Sequence, residues 1–81
     1  MNMEINKNKF LEGLKEQFES ADAKNITFDV KFSQLPTWDS LTRFSIIASI
    51  EDNYNVIITA EQLNSFETPS DLFSYLQSEI K

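Results

Sequence analysis

The 81-residue chain carries 13 acidic and 7 basic residues, a net charge of −6, and neither cysteine nor histidine. Without thiols there is no disulfide or thiolate metal site, and without imidazole there is no Ser-His-Asp triad and no imidazole ligand, so neither catalytic nor metal-binding residues are assigned. The acidic balance argues against nucleic acid or an anionic membrane as partner and suits a basic protein surface. The length is that of one small domain, 1–81, near the lower limit at which a single core suffices. The stretch Met1-Asn2-Met3-Glu4-Ile5-Asn6-Lys7 lacks the apolar core of a signal peptide, and no run approaches transmembrane length. A cytoplasmic monomer that does not insert into membranes is expected.

Between about Lys7 and Glu19, Phe10, Leu11, Leu14 and Phe18 fall at helical spacing with Lys, Glu and Gln between them, which predicts a first amphipathic helix. Gly13, the only glycine, lies inside it at a cost of about 1 kcal/mol relative to alanine. Ser20-Ala21-Asp22-Ala23-Lys24-Asn25 reads as the fraying end of that helix and a turn. Next, Ile26, Phe28, Val30 and Phe32 alternate with Thr27, Asp29, Lys31 and Ser33, the period of a half-buried strand. A strand needs a partner, and the other β-rich run, Val56-Ile57-Ile58-Thr59, is very short. An extended loop that inserts alternate side chains between helices fits the same pattern and is favoured.

Pro36 discourages helix at Leu35, and Asp39 is a good N-cap, so a central helix is expected from Asp39 or Ser40 to about Asn53. Ser40 then sits at its mouth, where backbone donors point outward and the macrodipole is positive. An anion attached to that hydroxyl would lie in a favourable field. Ile46, Ile47, Ile50 and Tyr54 form a core stripe, and Thr42, Ser45, Ser49 and Asp52 a polar one. Leu41, Phe44 and Ala48 form another apolar stripe with two readings: a wide core face crowded by neighbours, or a patch beside Ser40 that a partner covers, anchored by Phe44. Thr59-Ala60-Glu61-Gln62 has the form of a capping box, so a short helix should reach about Ser65 with Leu63 inward. Thr68-Pro69-Ser70-Asp71 opens the last helix, which Leu72, Phe73, Leu76 and Ile80 continue to the end. The sum is an all-α four-helix bundle of three main helices and one short one, with a long first connection.

Asp39-Ser40-Leu41 at a helix start resembles the acyl carrier protein family, whose members carry 4′-phosphopantetheine on the serine of an Asp-Ser-Leu motif. The setting carries the resemblance more than the tripeptide does. A first helix and a long loop precede the motif; an aliphatic helix ending Ile50-Glu51-Asp52-Asn53-Tyr54, then Ile57-Ile58-Thr59, follow it. The short helix and the Phe66-x-Thr68-Pro69 entry to the last helix come in order. From Leu35 to Leu76 the spacing needs no gap. The resemblance implies a four-helix bundle that carries substrates and is not an enzyme. A phosphopantetheinyl transferase would move the arm from coenzyme A onto Ser40, flanked by Asp39 and Leu41, and the arm's thiol would hold an acyl group as a thioester. The arm thus brings the thiol that the sequence lacks. It also implies an acyl pocket at Ile46, Ile47, Ile50, Ile58, Leu63 and Phe66, although taken one at a time each reads first as plain core. It implies a docking surface of Leu41, Phe44 and Ala48, with Asp39, Glu51 and Asp52 as charged contacts for basic patches on ligases, acyltransferases or synthases. Taken singly, Asp39 reads as an N-cap, and Glu51 and Asp52 as solvated surface.

Two departures are visible. Carriers of primary fatty acid synthesis usually have small residues before the motif, where this chain has Thr37-Trp38. They usually show several acids on the first two turns of the following helix, where this chain has Thr42, Arg43 and Ser45. Trp-Asp-Ser-Leu is similar to carriers of other pathways, which implies a specialised member. The alternatives are an aminoacyl or peptidyl carrier of D-alanyl type, and an unmodified helical interaction domain that uses the Leu41, Phe44 and Ala48 patch.

Overall fold

The computed structural model describes residues 5–36 and 38–80. Met1–Glu4 and Thr37, on which parts of the sequence reading rest, lie outside the described residues. The fold is all-α. Its helices are α1 (Lys7–Lys15), α2 (Ser20–Ala23), α3 (Ser40–Tyr54), α4 (Ala60–Ser65) and α5 (Pro69–Glu79), with a 3₁₀ turn at Phe32–Gln34. The four-helix expectation is corrected: five α-helices are present among the described residues, α2 being the addition.

α1 starts where the pattern places it, with the Asn6 side chain accepting the Lys9 N–H at 3.0 Å. It ends four residues before the expected Glu19. The Gln17 and Phe18 N–H groups bond to the Leu14 and Lys15 carbonyls, both at 3.1 Å, so the chain tightens to three-residue closure. Phe18 is buried all the same, which is why helical spacing counted it as part of the helix. The segment expected to fray then coils once more as α2, where the Glu19 carbonyl accepts from Asp22 and Ala23 at 2.9 and 2.8 Å. A helix of four residues is too short to print an apolar period in the sequence.

From Ile26 to Lys31 the chain is a loop that runs into the 3₁₀ turn at Phe32, and no strand occurs among the described residues. The alternation is real nonetheless. Ile26 and Phe32 are buried, Phe28 and Val30 half-buried, and Thr27, Asp29, Lys31 and Ser33 exposed. The loop is stitched to the entry of α5 rather than to a strand: the Phe32 N–H donates to the Glu67 carbonyl at 2.9 Å, and the Ser70 N–H to the Phe28 carbonyl at 3.0 Å. Phe28 meets Phe73 of α5 edge-on at 5.8 Å, and Phe73 meets Phe10 of α1 the same way at 5.3 Å.

The helix ends follow the capping rules. Thr59 and Gln62 close a reciprocal box at α4, as Thr68 and Asp71 do at α5, where Pro69 takes the first position. α3 stops at Asn55, whose φ of 57° is left-handed and whose N–H returns to the Glu51 carbonyl at 2.9 Å. α3 packs against α4, and α1 against α5. The core joins Phe10, Leu14, Ile26, Phe32, Ile46, Ile50, Ile58, Leu63, Leu72 and Leu76. No helix among the described residues is long and apolar enough to cross a membrane.

Candidate functional site: the mouth of α3

Asp39 is extended and Ser40 is the first residue of α3. The Asp39 carboxylate accepts the Thr42 N–H at 2.9 Å, and the Asp39 carbonyl accepts the Arg43 N–H at 3.0 Å. Together these fix the first turn. The Thr42 N–H, with its hydroxyl and then the Arg43 charge adding, holds the Asp39 carboxyl below the usual carboxylate range. Ser40 is exposed at N1. It stands at a helix end whose dipole favours anions.

What precedes the serine is anchored deeply. Trp38 is half-buried, and its ring stacks on Phe32 at 4.5 Å and 12° and on Phe18 at 6.3 Å and 15°. Its N–H closes a turn onto the Leu35 carbonyl at 3.1 Å, and Leu35 is buried. A rigid aromatic stack therefore holds the peptide that feeds the mouth of α3.

Arg43 belongs to this site, although in the sequence it registered only as a missing acid. One Nη donates to the Ser40 Oγ at 3.3 Å and the other to the Trp38 carbonyl at 3.5 Å. The guanidinium also lies 5.6 Å from the Trp38 ring centre. Two signals for it exist in the sequence: the i, i+3 spacing from Ser40, and a cation in a first turn, where the dipole disfavours one.

Leu41, Phe44 and Ala48 are exposed, Leu41 by 78% and Phe44 by 61%. The crowded-core reading of this stripe is thereby corrected, because no neighbour among the described residues covers it. Glu51 and Asp52 are exposed two turns further along. At about 100° per residue, both fall within a quarter-turn or so of the stripe's axis. Ile57, in the loop after α3, is also exposed by 73%. Its neighbours Val56 and Ile58 are half-buried and buried, and nothing in that apolar triplet marks the middle residue as the outer one.

The six residues of the expected acyl pocket lie in or against the core. Ile46, Ile50, Ile58 and Leu63 are buried, and Ile47 and Phe66 pack partly buried against them. An open groove runs between α1 and the C-terminal half of α3, with Phe10, Leu14, Ile46, Ile50 and Tyr54 in its lining. Ile47, Ile58, Leu63 and Phe66 do not line it. Its outer end, at Asn53 and Tyr54, is about 20 Å along the helix axis from Ser40.

Residues 9–76 match the phosphopantetheine attachment site family. Acyl carrier proteins from two strains of Streptococcus pneumoniae are each 37% identical to the chain over 60 residues, covering 74% of this chain and 77% of theirs. The acyl carrier protein of Treponema denticola is 30% identical over a stretch of the same length. The chain belongs to the phosphopantetheine-binding acyl carrier protein family. It is a carrier and not an enzyme, and its cofactor is 4′-phosphopantetheine, on which acyl groups are tethered.

Proposed function

We propose that Ser40 is the residue that bears the 4′-phosphopantetheine arm, delivered from coenzyme A by a phosphopantetheinyl transferase. The observation that carries this is the exposed Ser40 hydroxyl at the first position of α3, behind the Asp39 cap. The residues there fit the group. An anionic phosphodiester suits a helix start, and the Arg43 guanidinium already reaches the serine oxygen. The arm supplies the thiol on which acyl groups ride as thioesters. Asp39 keeps the serine in place by capping the turn, and Leu41, next along, presents its side chain to an approaching enzyme.

Partner enzymes dock on Leu41, Phe44 and Ala48, with Asp39, Glu51 and Asp52 steering basic patches on ligases, acyltransferases or synthases toward them. An apolar stripe left uncovered on a small acidic protein supports this reading. Ile46, Ile47, Ile50, Ile58, Leu63 and Phe66 take a carried acyl chain into the α3–α4 side of the core, which must loosen to admit it. The chain works as a single cytoplasmic carrier domain and as a monomer. Arg43 and Trp38 beside the serine, with no acid in the first turn of α3, favour enzymes of a dedicated pathway over those of primary fatty acid synthesis. The same pair supports a second reading, an aminoacyl carrier of D-alanyl type loaded by its own ligase.

The test is the intact mass after incubation with coenzyme A and a promiscuous phosphopantetheinyl transferase, beside Ser40→Ala. A gain of one phosphopantetheine in the wild type alone is expected. No gain on folded protein, with a working positive control, overturns the assignment of Ser40.

A further inference from the structure

Arg43 stands in an energetically awkward place. The first turn of α3 contains no acid, and the helix dipole there opposes a cation. Three features offset this: the Trp38 carbonyl at 3.5 Å, the Trp38 ring at 5.6 Å, and the negative Asp39 carboxylate beside it. Because Trp38 is itself stacked on Phe32 and Phe18, the guanidinium is held by a rigid base rather than left to wander. Its other Nη rests 3.3 Å from the Ser40 Oγ, a neutral hydroxyl that is a poor match for a charged, five-donor fork.

The match improves once that oxygen is esterified to phosphate. The two unesterified phosphate oxygens then lie one atom beyond the Oγ that Arg43 already touches. They carry a full negative charge in the planar arrangement that a guanidinium grips in two places. Arg43 also lies to one side. At about 100° per residue it is displaced from Ser40 in the direction away from the Leu41, Phe44 and Ala48 stripe.

Building on the assignment of the arm to Ser40, we propose that Arg43 is a positioning residue that grips the arm's phosphodiester and draws it toward Trp38, leaving the Leu41 and Phe44 face clear for partners. In the unmodified protein the same side chain braces the turn from Trp38 to Ser40. In the modified protein it exchanges a weak hydroxyl contact for an ion pair. The arm therefore leaves the protein in one preferred direction instead of sweeping freely about the serine.

The experiment loads wild type, Arg43→Gln and Arg43→Lys with coenzyme A and a promiscuous transferase, and confirms one arm on each by intact mass. It then records the ³¹P resonance of the phosphodiester at low and high salt, and the urea midpoint of each loaded and unloaded form. The wild-type resonance is expected to move as salt is raised, and loading is expected to raise the wild-type midpoint at low salt. Arg43→Gln should lose both effects while its unloaded form stays helical by circular dichroism. Arg43→Lys, with charge but no fork, should keep a reduced salt-dependent shift. The same ³¹P position and salt response in wild type and Arg43→Gln, both fully loaded, overturns the grip and leaves the Ser40 assignment standing. No mass gain in the wild type overturns the Ser40 assignment and the grip with it.

Discussion

α3 and α5 both begin after an extended residue whose side-chain oxygen takes an N–H of the first turn, yet the two helix starts are built for different ends. At α5, Thr68 and Asp71 bond reciprocally, Pro69 fills the first position and is buried, and Leu72 and Phe73 carry the turn straight into the core. At α3, Asp39 accepts the Thr42 N–H without the reciprocal box seen at α5 among the described residues, the first position is an exposed serine, and the next is an exposed leucine. The capping rules are satisfied at both. Only at α5 is the whole turn committed to stability. The mouth of α3 instead borrows its rigidity from outside the helix, through Trp38 stacked on Phe32 and Phe18. A carrier needs this division, because the residue it modifies must be both accessible and held.

The sharpest way to break the contrast is to truncate one leucine near each start. Leu72 is fully buried, and Leu72→Ala is expected to cost about 2–5 kcal/mol through lost burial and the cavity left behind. Against a total stability of about 5–15 kcal/mol for a small domain, that is a large share. Leu41 is 78% exposed, and Leu41→Ala should stay within about 0.5 kcal/mol. Urea denaturation followed by circular dichroism reads both, and equal losses would show that the α3 mouth is as load-carrying as the α5 entry. Leu41→Ala should instead slow loading by the transferase, measured as kcat/KM.

The caps come next in size. Thr68→Ala removes one half of the α5 box and is expected to cost about 1 kcal/mol. At the far end of α3, Asn55 holds a left-handed φ of 57°, and Asn55→Ala should cost about 1 kcal/mol for placing an ordinary residue there. Both are read from urea midpoints at constant slope. A null result at Asn55 would mean that α3 is fixed by its packing alone and not by its terminal turn.

How much of this was legible in the sequence depends on whether the signal was periodic. The capping box at Thr59, the Thr68-Pro69 entry to α5, the start of α1 at about Lys7 and the run of α3 all repeat or punctuate in ways one sequence displays. The alternation from Ile26 to Phe32 was legible as burial but not as backbone, since a loop laid against α5 and a strand in a sheet hide the same residues. α2 left no trace because one turn has no period. The early end of α1 was hidden because Phe18 is buried in either geometry. The motif at the mouth of α3 pointed to Ser40, whereas Arg43 depended on where a long side chain folds back. Its spacing from Ser40 allowed that contact, but only the position of Trp38 selects it.

The smallest expected effect tests whether the lone cap at α3 works through charge or only through its hydrogen bond. The Asp39 carboxyl titrates below its ordinary range because its charged form accepts the Thr42 N–H and faces Arg43. The folded value is depressed relative to the unfolded one, so the stability it contributes is fully present above about pH 4, the unfolded carboxylate range. It is lost as the pH falls through the lowered folded value. Asp39→Asn keeps a good capping oxygen but no charge. Wild type should therefore melt slightly above Asp39→Asn at pH 6, and the gap should close between about pH 4 and pH 2 as both proteins lose stability from their other carboxylates. High salt should narrow the gap at pH 6 as well, because the site is exposed. A gap that stays constant from pH 6 to pH 2 would assign the cap wholly to its hydrogen bond. In that case the mouth of α3 would differ from the entry of α5 in exposure alone and not in its electrostatics.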